Sequence, residues 1–147
     1  MIAVATNVLV YAHMIESPFH DAASQVLQGL VRGKARWAIP WPCVHEFIAV
    51  VTHPRVYRKP TPLSTALAAM RSLAQQPNVL MLAEDEGYLE RLATVAIAAK
   101  SQGGNIHDAR IVALCLHHGV SELWTADRDF SRFPALKTAN PLDDGRA

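Results

Sequence analysis

The sequence predicts an α/β domain with three layers, α/β/α, around a central and mostly parallel sheet of four to five strands. Short apolar segments that suit buried strands alternate with longer segments of helical periodicity along the 147 residues. Half of the residues are hydrophobic, which is enough to bury one substantial core. We therefore expect residues 1–147 to form a single domain.

Four short segments are predicted to be strands, and a weaker pattern indicates a fifth. The four are mainly continuous apolar runs, as is typical of parallel strands that are buried on both faces. The predicted strands lie at 2–5, 37–39, 79–82 and 123–125, and the weaker one at 136–138.

Helical periodicity accounts for most of the remaining chain. Proline, which suits the first turn of a helix, precedes the third predicted helix, and glycine follows the second and the last. The final helix is apolar on most sides, so we expect it to lie buried against the sheet. The predicted helices span 8–13, 20–31, about 42–52, 63–75, 88–99 and 108–117, and residues 53–62 form a basic, proline-rich loop.

The composition sets limits on the class of protein. Fourteen Lys and Arg oppose thirteen Asp and Glu, so the net charge of +1 neither indicates nor excludes a nucleic-acid-binding protein. Cys43 and Cys115 are far apart and have no metal-ligand spacing, which predicts buried free thiols in a reducing compartment. No apolar run reaches the roughly 18 residues of a membrane span. We expect a cytoplasmic protein without a membrane partner.

Acidic residues follow the predicted strands or begin the helices after them. In parallel α/β sheets, ligands bind beyond the carboxyl ends of the strands. Glu46, Asp108 and Asp127 are therefore expected to converge at one edge of the sheet, beside position 5 at the end of the first strand. Asp129 lies two residues beyond Asp127.

Carboxylates packed closely raise one another's pKa, and a hard divalent cation relieves this repulsion. Mg²⁺ or Mn²⁺ prefers such oxygen ligands, together with waters and substrate phosphates. A bound ion of this kind activates water and stabilises charge on a phosphodiester under attack. The acidic set therefore indicates metal-dependent nuclease chemistry.

Four segments together resemble the PIN domain family and, more narrowly, the VapC-type toxins of bacterial type II toxin–antitoxin pairs. Each segment alone is weakly specific, but they occur in the order of the family and extend over nearly the whole chain. They are residues 4–12 (VATNVLVYA), 41–47 (WPCVHEF), 106–110 (IHDAR) and 123–130 (LWTADRDF).

The resemblance implies a Mg²⁺-dependent endoribonuclease toxin that hydrolyses RNA phosphodiester bonds. It also implies a homodimer and a cognate VapB-like antitoxin, which we expect to insert an inhibitory basic side chain among the acids. By position, Glu46, Asp108 and Asp127 match the acidic metal and catalytic site, and Asp129 matches a further acidic position. Thr6, Asn7 and Thr125 match polar support positions.

Position 5 departs from the family pattern, because Ala5 stands where an aspartate ligand is expected. The neighbouring Thr6 and Asn7 match the pattern, so we interpret the chain as an Asp-to-Ala variant with weakened metal binding and little activity. A naturally inactive protein is the other explanation. Such a protein would be a PIN-fold module that binds antitoxin or RNA without cleavage. A flap-type DNA nuclease is a third and more remote alternative for the function.

Several other residues admit both a functional and an ordinary interpretation. His45 and His107 each precede a site acid, but adjacent helical residues point about 100° apart, which favours packing or surface roles. His117 and His118 are interpreted as a solvated helix end. The candidates for RNA binding are Arg55, Arg58, Lys59, Arg110 and Arg128, and a plain solvated surface is the ordinary interpretation of the same residues.

The three tryptophans, Trp37, Trp41 and Trp124, are predicted to lie in the core or at a dimer interface.

Overall fold

A computed structural model of the protein describes residues 1–143. Five strands in this part of the chain form one sheet in the order β3-β2-β1-β4-β5, and every neighbouring pair is parallel. The predicted parallel sheet is confirmed, including its weak last strand, which begins one residue later than predicted. The strands are β1 (Ile2–Val4), β2 (Trp37–Pro40), β3 (Val79–Leu82), β4 (Glu122–Trp124) and β5 (Lys137–Ala139).

Six α-helices, counted within residues 1–143, accompany the sheet and complete the predicted three-layer α/β/α fold. A short 3-10 helix (Arg128–Arg132), which the sequence did not predict, follows β4. The α-helices are α1 (Thr6–His13), α2 (His20–Arg32), α3 (Trp41–Val51), α4 (Leu63–Ala74), α5 (Tyr88–Ala98) and α6 (Asn105–His117).

The junction between β1 and α1 is tighter than the sequence predicted. The strand ends at Val4 and the helix already begins at Thr6, so Ala5 alone connects them as the N-cap residue. The backbone N–H of Ala5 donates to the carbonyl oxygen of Trp124 over 3.0 Å. This bond continues the β1–β4 ladder by one residue and fixes position 5 at the carboxyl edge of the sheet.

The core lies on both faces of the sheet and includes the middle of α6. Residues 111–115 of this helix are all buried, which confirms the expectation that α6 packs against the interior. Phe47 of α3 and Trp37 of β2 are almost completely buried. Trp37 therefore lies in the core, as one of the two predicted alternatives, whereas Trp41 is 39% exposed and is not a core residue, which leaves the predicted dimer interface as its alternative.

Cys43 and Cys115 are both buried and free, as the sequence predicted. Burial raises the pKa of the Cys43 thiol to about 12 and also raises the pKa of the Cys115 thiol. None of the helices in residues 1–143 has the length and apolar character that crossing a membrane requires.

Candidate functional site

The predicted acidic residues meet at the carboxyl edge of the sheet. Val4 and Trp124 are paired at the ends of the adjacent strands β1 and β4, so the segments that leave these strands begin side by side. A cleft of about 360 Å³ opens there and is lined by Ala5, Glu46, Asp108 and Asp127. Three carboxylates that are distant in sequence therefore face one cavity.

Glu46 is held at the cleft by α1. The Thr6 hydroxyl donates a hydrogen bond to Glu46 Oε2 over 3.2 Å, which joins the first residue of α1 to the middle of α3. Burial raises the pKa of the Glu46 carboxyl, and the nearby Asp108 carboxylate raises it further, whereas the Thr6 hydrogen bond opposes this change.

Asn7 and Thr125 shape the segment that carries Asp127. Asn7 Nδ2 donates to Thr125 Oγ1 over 3.1 Å, and Asn7 Oδ1 accepts from the backbone N–H of Ala126 over 3.1 Å. The same Thr125 hydroxyl oxygen accepts from the backbone N–H of Asp127 over 3.0 Å. The predicted polar support residues are therefore brought together, and they link α1 to the end of β4.

Asp127 has a structural contact in addition to its place in the cleft. Its Oδ1 accepts from the backbone N–H of Asp129 over 2.8 Å, which caps the 3-10 helix. Asp129 is exposed and does not line the cleft. It is nevertheless close enough to influence Asp108, whose pKa is raised by burial first and then by the charges of Asp127 and Asp129.

The donor set of the cleft fits a hard divalent cation. Only oxygen ligands are offered by Glu46, Asp108 and Asp127. Burial is the main cause of the raised pKa values of Glu46 and Asp108, and neighbouring carboxylates add a repulsion that a cation would relieve. Ala5 is 2% exposed and contributes only a methyl group to the wall. The site therefore has one carboxylate fewer than the sequence pattern leads one to expect.

The basic candidates are distributed around the cleft. Arg55, Arg58 and Lys59 are exposed on the loop whose Tyr57 lines the cleft wall. Arg128 is exposed next to Asp127. Arg110 is already engaged, because its Nε donates to Glu84 Oε1 over 3.0 Å.

His45 and His107 do not line the acidic cleft. Together with Glu46 and Arg110 they line a neighbouring cleft of about 390 Å³. The His45 ring stacks against the exposed Trp41 indole at a centroid distance of 6.4 Å. The structure is consistent with the surface role favoured for both histidines.

A second group of polar side chains was missed in the sequence. His117 contacts the carboxylate of Asp85, and His118 Nε2 lies 2.7 Å from the carbonyl oxygen of Ala83. The His117 side chain is only 17% exposed, so the interpretation as a solvated helix end is wrong for His117. Two adjacent histidines at a helix end were the available signal, but nothing local indicated that Asp85 approaches them.

Comparisons with known proteins place this fold and cleft in a family. The PIN domain profile matches residues 2–136. Ribonuclease VapC48 of Mycobacterium tuberculosis is 32% identical over 136 residues, which cover 92% of this chain and 94% of the relative.

Two solved structures support the fold at lower identity. VapBC2 from Rickettsia felis, bound to a DNA fragment from its promoter, has a TM-score of 0.67 with 18% identity and covers 95% of this chain and 98% of that chain. A toxin–antitoxin complex from Klebsiella pneumoniae has a TM-score of 0.57 with 19% identity and covers 96% and 98%. From the profile match and the VapC48 similarity we conclude that the chain belongs to the PIN domain family.

Proposed function

We propose that this protein is a divalent-metal-dependent endoribonuclease of the VapC type, and that the chain with Ala5 is an impaired form of it. The observation that carries the proposal is the convergence of Glu46, Asp108 and Asp127 in one cleft. The relative VapC48 is named a ribonuclease, which supports RNA as the substrate class. We also propose that residues 1–147 form one domain, in keeping with the match over 2–136.

Glu46, Asp108 and Asp127 are the residues that would hold Mg²⁺ or Mn²⁺. When bound, such an ion lowers the pKa of a coordinated water and stabilises negative charge on the phosphodiester. The hydrogen bond from the Thr6 hydroxyl would hold the Glu46 carboxylate in place as one of these ligands. Asn7 and Thr125 position Asp127 through the turn that follows β4.

The RNA chain would approach along the basic loop beside the cleft. Arg55, Arg58 and Lys59 are exposed and free to meet phosphates, while the Tyr57 ring at the cleft wall can stack on a base. Arg128 is exposed next to Asp127. Arg110 contributes less to phosphate binding, because Glu84 already neutralises it.

The environment of position 5 supports the interpretation as an Asp-to-Ala variant. Thr6 donates to Glu46, Asn7 and Thr125 hold the turn that carries Asp127, and position 5 offers no carboxylate. An aspartate there would extend the acidic wall of the cleft, because Ala5 already forms part of it. The rival proposal is a naturally inactive PIN-fold module that binds antitoxin or RNA without cutting.

We propose a VapB-like antitoxin as the cognate partner, by similarity to VapBC2 from Rickettsia felis. The cleft suits insertion of an arginine, because its guanidinium pairs with carboxylates in bidentate geometry. A homodimer is part of the same proposal. The buried free thiols of Cys43 and Cys115 support a reducing, cytoplasmic location.

The proposal is tested by Ala5→Asp, with Ala5→Asn as the control of matched shape and no charge. We expect Ala5→Asp to bind Mg²⁺ at least about tenfold more tightly than the parent, since even supporting groups at metal sites contribute that much. It should also cleave RNA from a panel of structured and single-stranded substrates, and cleavage should stop with EDTA. Calorimetry and product sequencing provide the two measurements.

A second control separates loss of activity from loss of folding. Asp108→Asn in the Ala5→Asp background should abolish cleavage while circular dichroism stays unchanged. If folded Ala5→Asp protein is inert on every RNA with either Mg²⁺ or Mn²⁺, the ribonuclease proposal fails and the binding-module proposal takes its place.

A further inference from the structure

We propose that Asp85, His117 and His118 form a binding site for a divalent transition metal ion of the zinc class. His117 ends α6, His118 is its C-cap residue, and Asp85 lies between β3 and α5. One potential ligand atom from each side chain lies within 4.8 Å of the other two. The inference is independent of the nuclease proposal, because it rests on other residues.

The site is separate from the acidic cleft. Asp108 lies in the first turn of α6 and His117 is its last residue, so nine helical steps place them about 13 Å apart along the helix axis. Asp85, His117 and His118 do not line the cleft that contains Glu46 and Asp108. One ion therefore cannot be shared by both sets of ligands.

The hydrogen bond between His118 and Ala83 determines which ring nitrogen of His118 can bind a metal ion. A carbonyl oxygen only accepts hydrogen bonds, so His118 Nε2 must carry its proton to donate to Ala83 over 2.7 Å. The neutral ring then has a lone pair on Nδ1. Metal-binding histidines commonly donate the other ring N–H to a carbonyl or carboxylate, and this bond holds the ring in place.

His117 and Asp85 supply the second and third ligands. His117 Nε2 and Asp85 Oδ1 are in direct hydrogen-bond contact, so replacing the intervening proton by a metal ion requires only a modest separation of the two atoms. Tetrahedral zinc bonds of about 2.0 Å place ligand atoms roughly 3.3 Å apart. This separation is shorter than the 4.8 Å within which the three potential ligand atoms now lie, so only a small approach is needed. The Asp85 side chain is 58% exposed and has room to adjust.

The chemistry of these ligands favours zinc over magnesium. Two imidazoles and one carboxylate match the nitrogen and oxygen ligands of Zn²⁺, whereas Mg²⁺ prefers oxygen ligands such as those of the acidic cleft. Bound metal would fasten the segment after β3 to the end of α6. That segment is already joined to the same helix by the 3.0 Å Arg110–Glu84 ion pair, so the metal would reinforce this side of the fold.

Zinc titration of the full chain tests the proposal. The protein competes with a chromophoric chelator for Zn²⁺ while millimolar Mg²⁺ is present to compete for the acidic cleft. We expect one equivalent of tight binding that weakens at least about tenfold in His118→Gln and in Asp85→Asn. His53→Gln, which changes an exposed histidine on the 53–62 loop, is the matched control and should keep the parent affinity.

Two further measurements decide between the possible locations of the ion. Zinc-edge X-ray absorption should report two imidazole ligands in the parent, and Asp127→Asn should leave stoichiometry and spectrum unchanged. Asp85→Asn alters an exposed side chain and tests the site without risk to the core. The proposal is overturned if Zn²⁺ does not bind, or if His118→Gln and Asp85→Asn bind it as tightly as His53→Gln does.

Discussion

At the scale of single residues, a few side chains determine the shape of the acidic cleft. The Thr125 hydroxyl is the clearest case, because it is 4% exposed, accepts from two donors and joins α1 to the Asp127 turn. The two donors, Asn7 and Asp127, lie 120 positions apart in the sequence. Loss of this single oxygen would leave two donors without an acceptor, which costs more than the hydrogen bonds themselves contribute.

Thr125→Val keeps the shape of the side chain and removes this oxygen. We expect the free energy of unfolding to fall by about 1–3 kcal/mol, because the Asn7 amide and the Asp127 N–H lose their acceptor. Thr125→Ser, which retains the oxygen and loses one methyl group, should cost about 0.8 kcal/mol. Urea denaturation measures both variants. Unchanged hydrogen exchange at the Asp127 amide in Thr125→Val would contradict the role assigned to this bond.

Glu46 makes stability depend on pH in a direction that the structure fixes. Its native pKa is raised above the ordinary value of 4.5, so the native state binds the proton more tightly than the unfolded state does. The resulting stabilisation is present below the ordinary value and is lost as pH rises through the raised native value.

Glu46→Gln removes this charge and keeps an oxygen that can accept from Thr6. In EDTA we expect the variant to be more stable than the parent at pH 7.5, with the difference vanishing below pH 4.5. Mg²⁺ should reduce the advantage at pH 7.5, because the cation compensates the parent carboxylate. Glu86→Gln, at an exposed glutamate, is the control for general charge effects. A variant less stable than the parent at pH 7.5 in EDTA would contradict the raised pKa.

At the scale of secondary-structure elements, Asn78 connects the end of α2 to the start of β3. The buried Asn78 Nδ2 donates to the carbonyl oxygens of Leu30 (2.8 Å), Gly33 (3.0 Å) and Ala35 (3.2 Å). The first of these belongs to the last turn of the helix, where carbonyls have no partner within the helix. One amide group thereby fixes how α2 returns the chain to the sheet.

Replacing Asn78 tests this connection. Asn78→Ala should lower the free energy of unfolding by about 1–3 kcal/mol, because three backbone carbonyl oxygens lose their donor. Asn78→Asp has nearly the same shape, but its carboxylate oxygen would face three carbonyl oxygens that also only accept hydrogen bonds. At pH 7 it should therefore lower the free energy of unfolding more than Asn78→Ala does. At pH 4 the difference should shrink, because the introduced carboxyl can protonate. Equal stabilities of the two variants at pH 7, measured by denaturation, would refute this account.

At the scale of the whole molecule, α3 and α6 contribute fully buried side chains to the core. Cys43 and Cys115 lie on these helices, and both are 0% exposed. Burial raises the pKa of Cys43 to about 12, so at neutral pH almost none of this thiol is in the reactive thiolate form. A reagent can therefore reach either thiol only when the packing of the two helices opens.

We expect an aromatic disulfide reagent to label the native protein no faster than the protein unfolds. In denaturant both cysteines should react within the mixing time. The labelling rate, compared with the unfolding rate from stopped-flow fluorescence, is the measurement. Fast labelling of either cysteine in native buffer would show that α3 and α6 separate locally without global unfolding.

The sequence alone determined the order and type of the elements, because apolar periodicity is a local property. It also located the acids at one edge, since the carboxyl ends of neighbouring parallel strands lie together. The sequence did not predict the short 3-10 helix after Asp127. The Asp127 side chain is the N-terminal cap of this helix. It placed the start of α1 two residues late, because the tight exit from β1 depends on the bond to Trp124.

Only the tertiary structure decided which side chains become partners across the chain. Thr6 meets Glu46, Arg110 meets Glu84, and His117 meets Asp85 through packing that brings residues 26 to 40 positions apart into contact. Such pairs leave no periodic signal, because each depends on where whole helices settle on the sheet. The local pattern thus determined the scaffold and the acidic edge, and long-range packing decided the contacts that orient each site side chain.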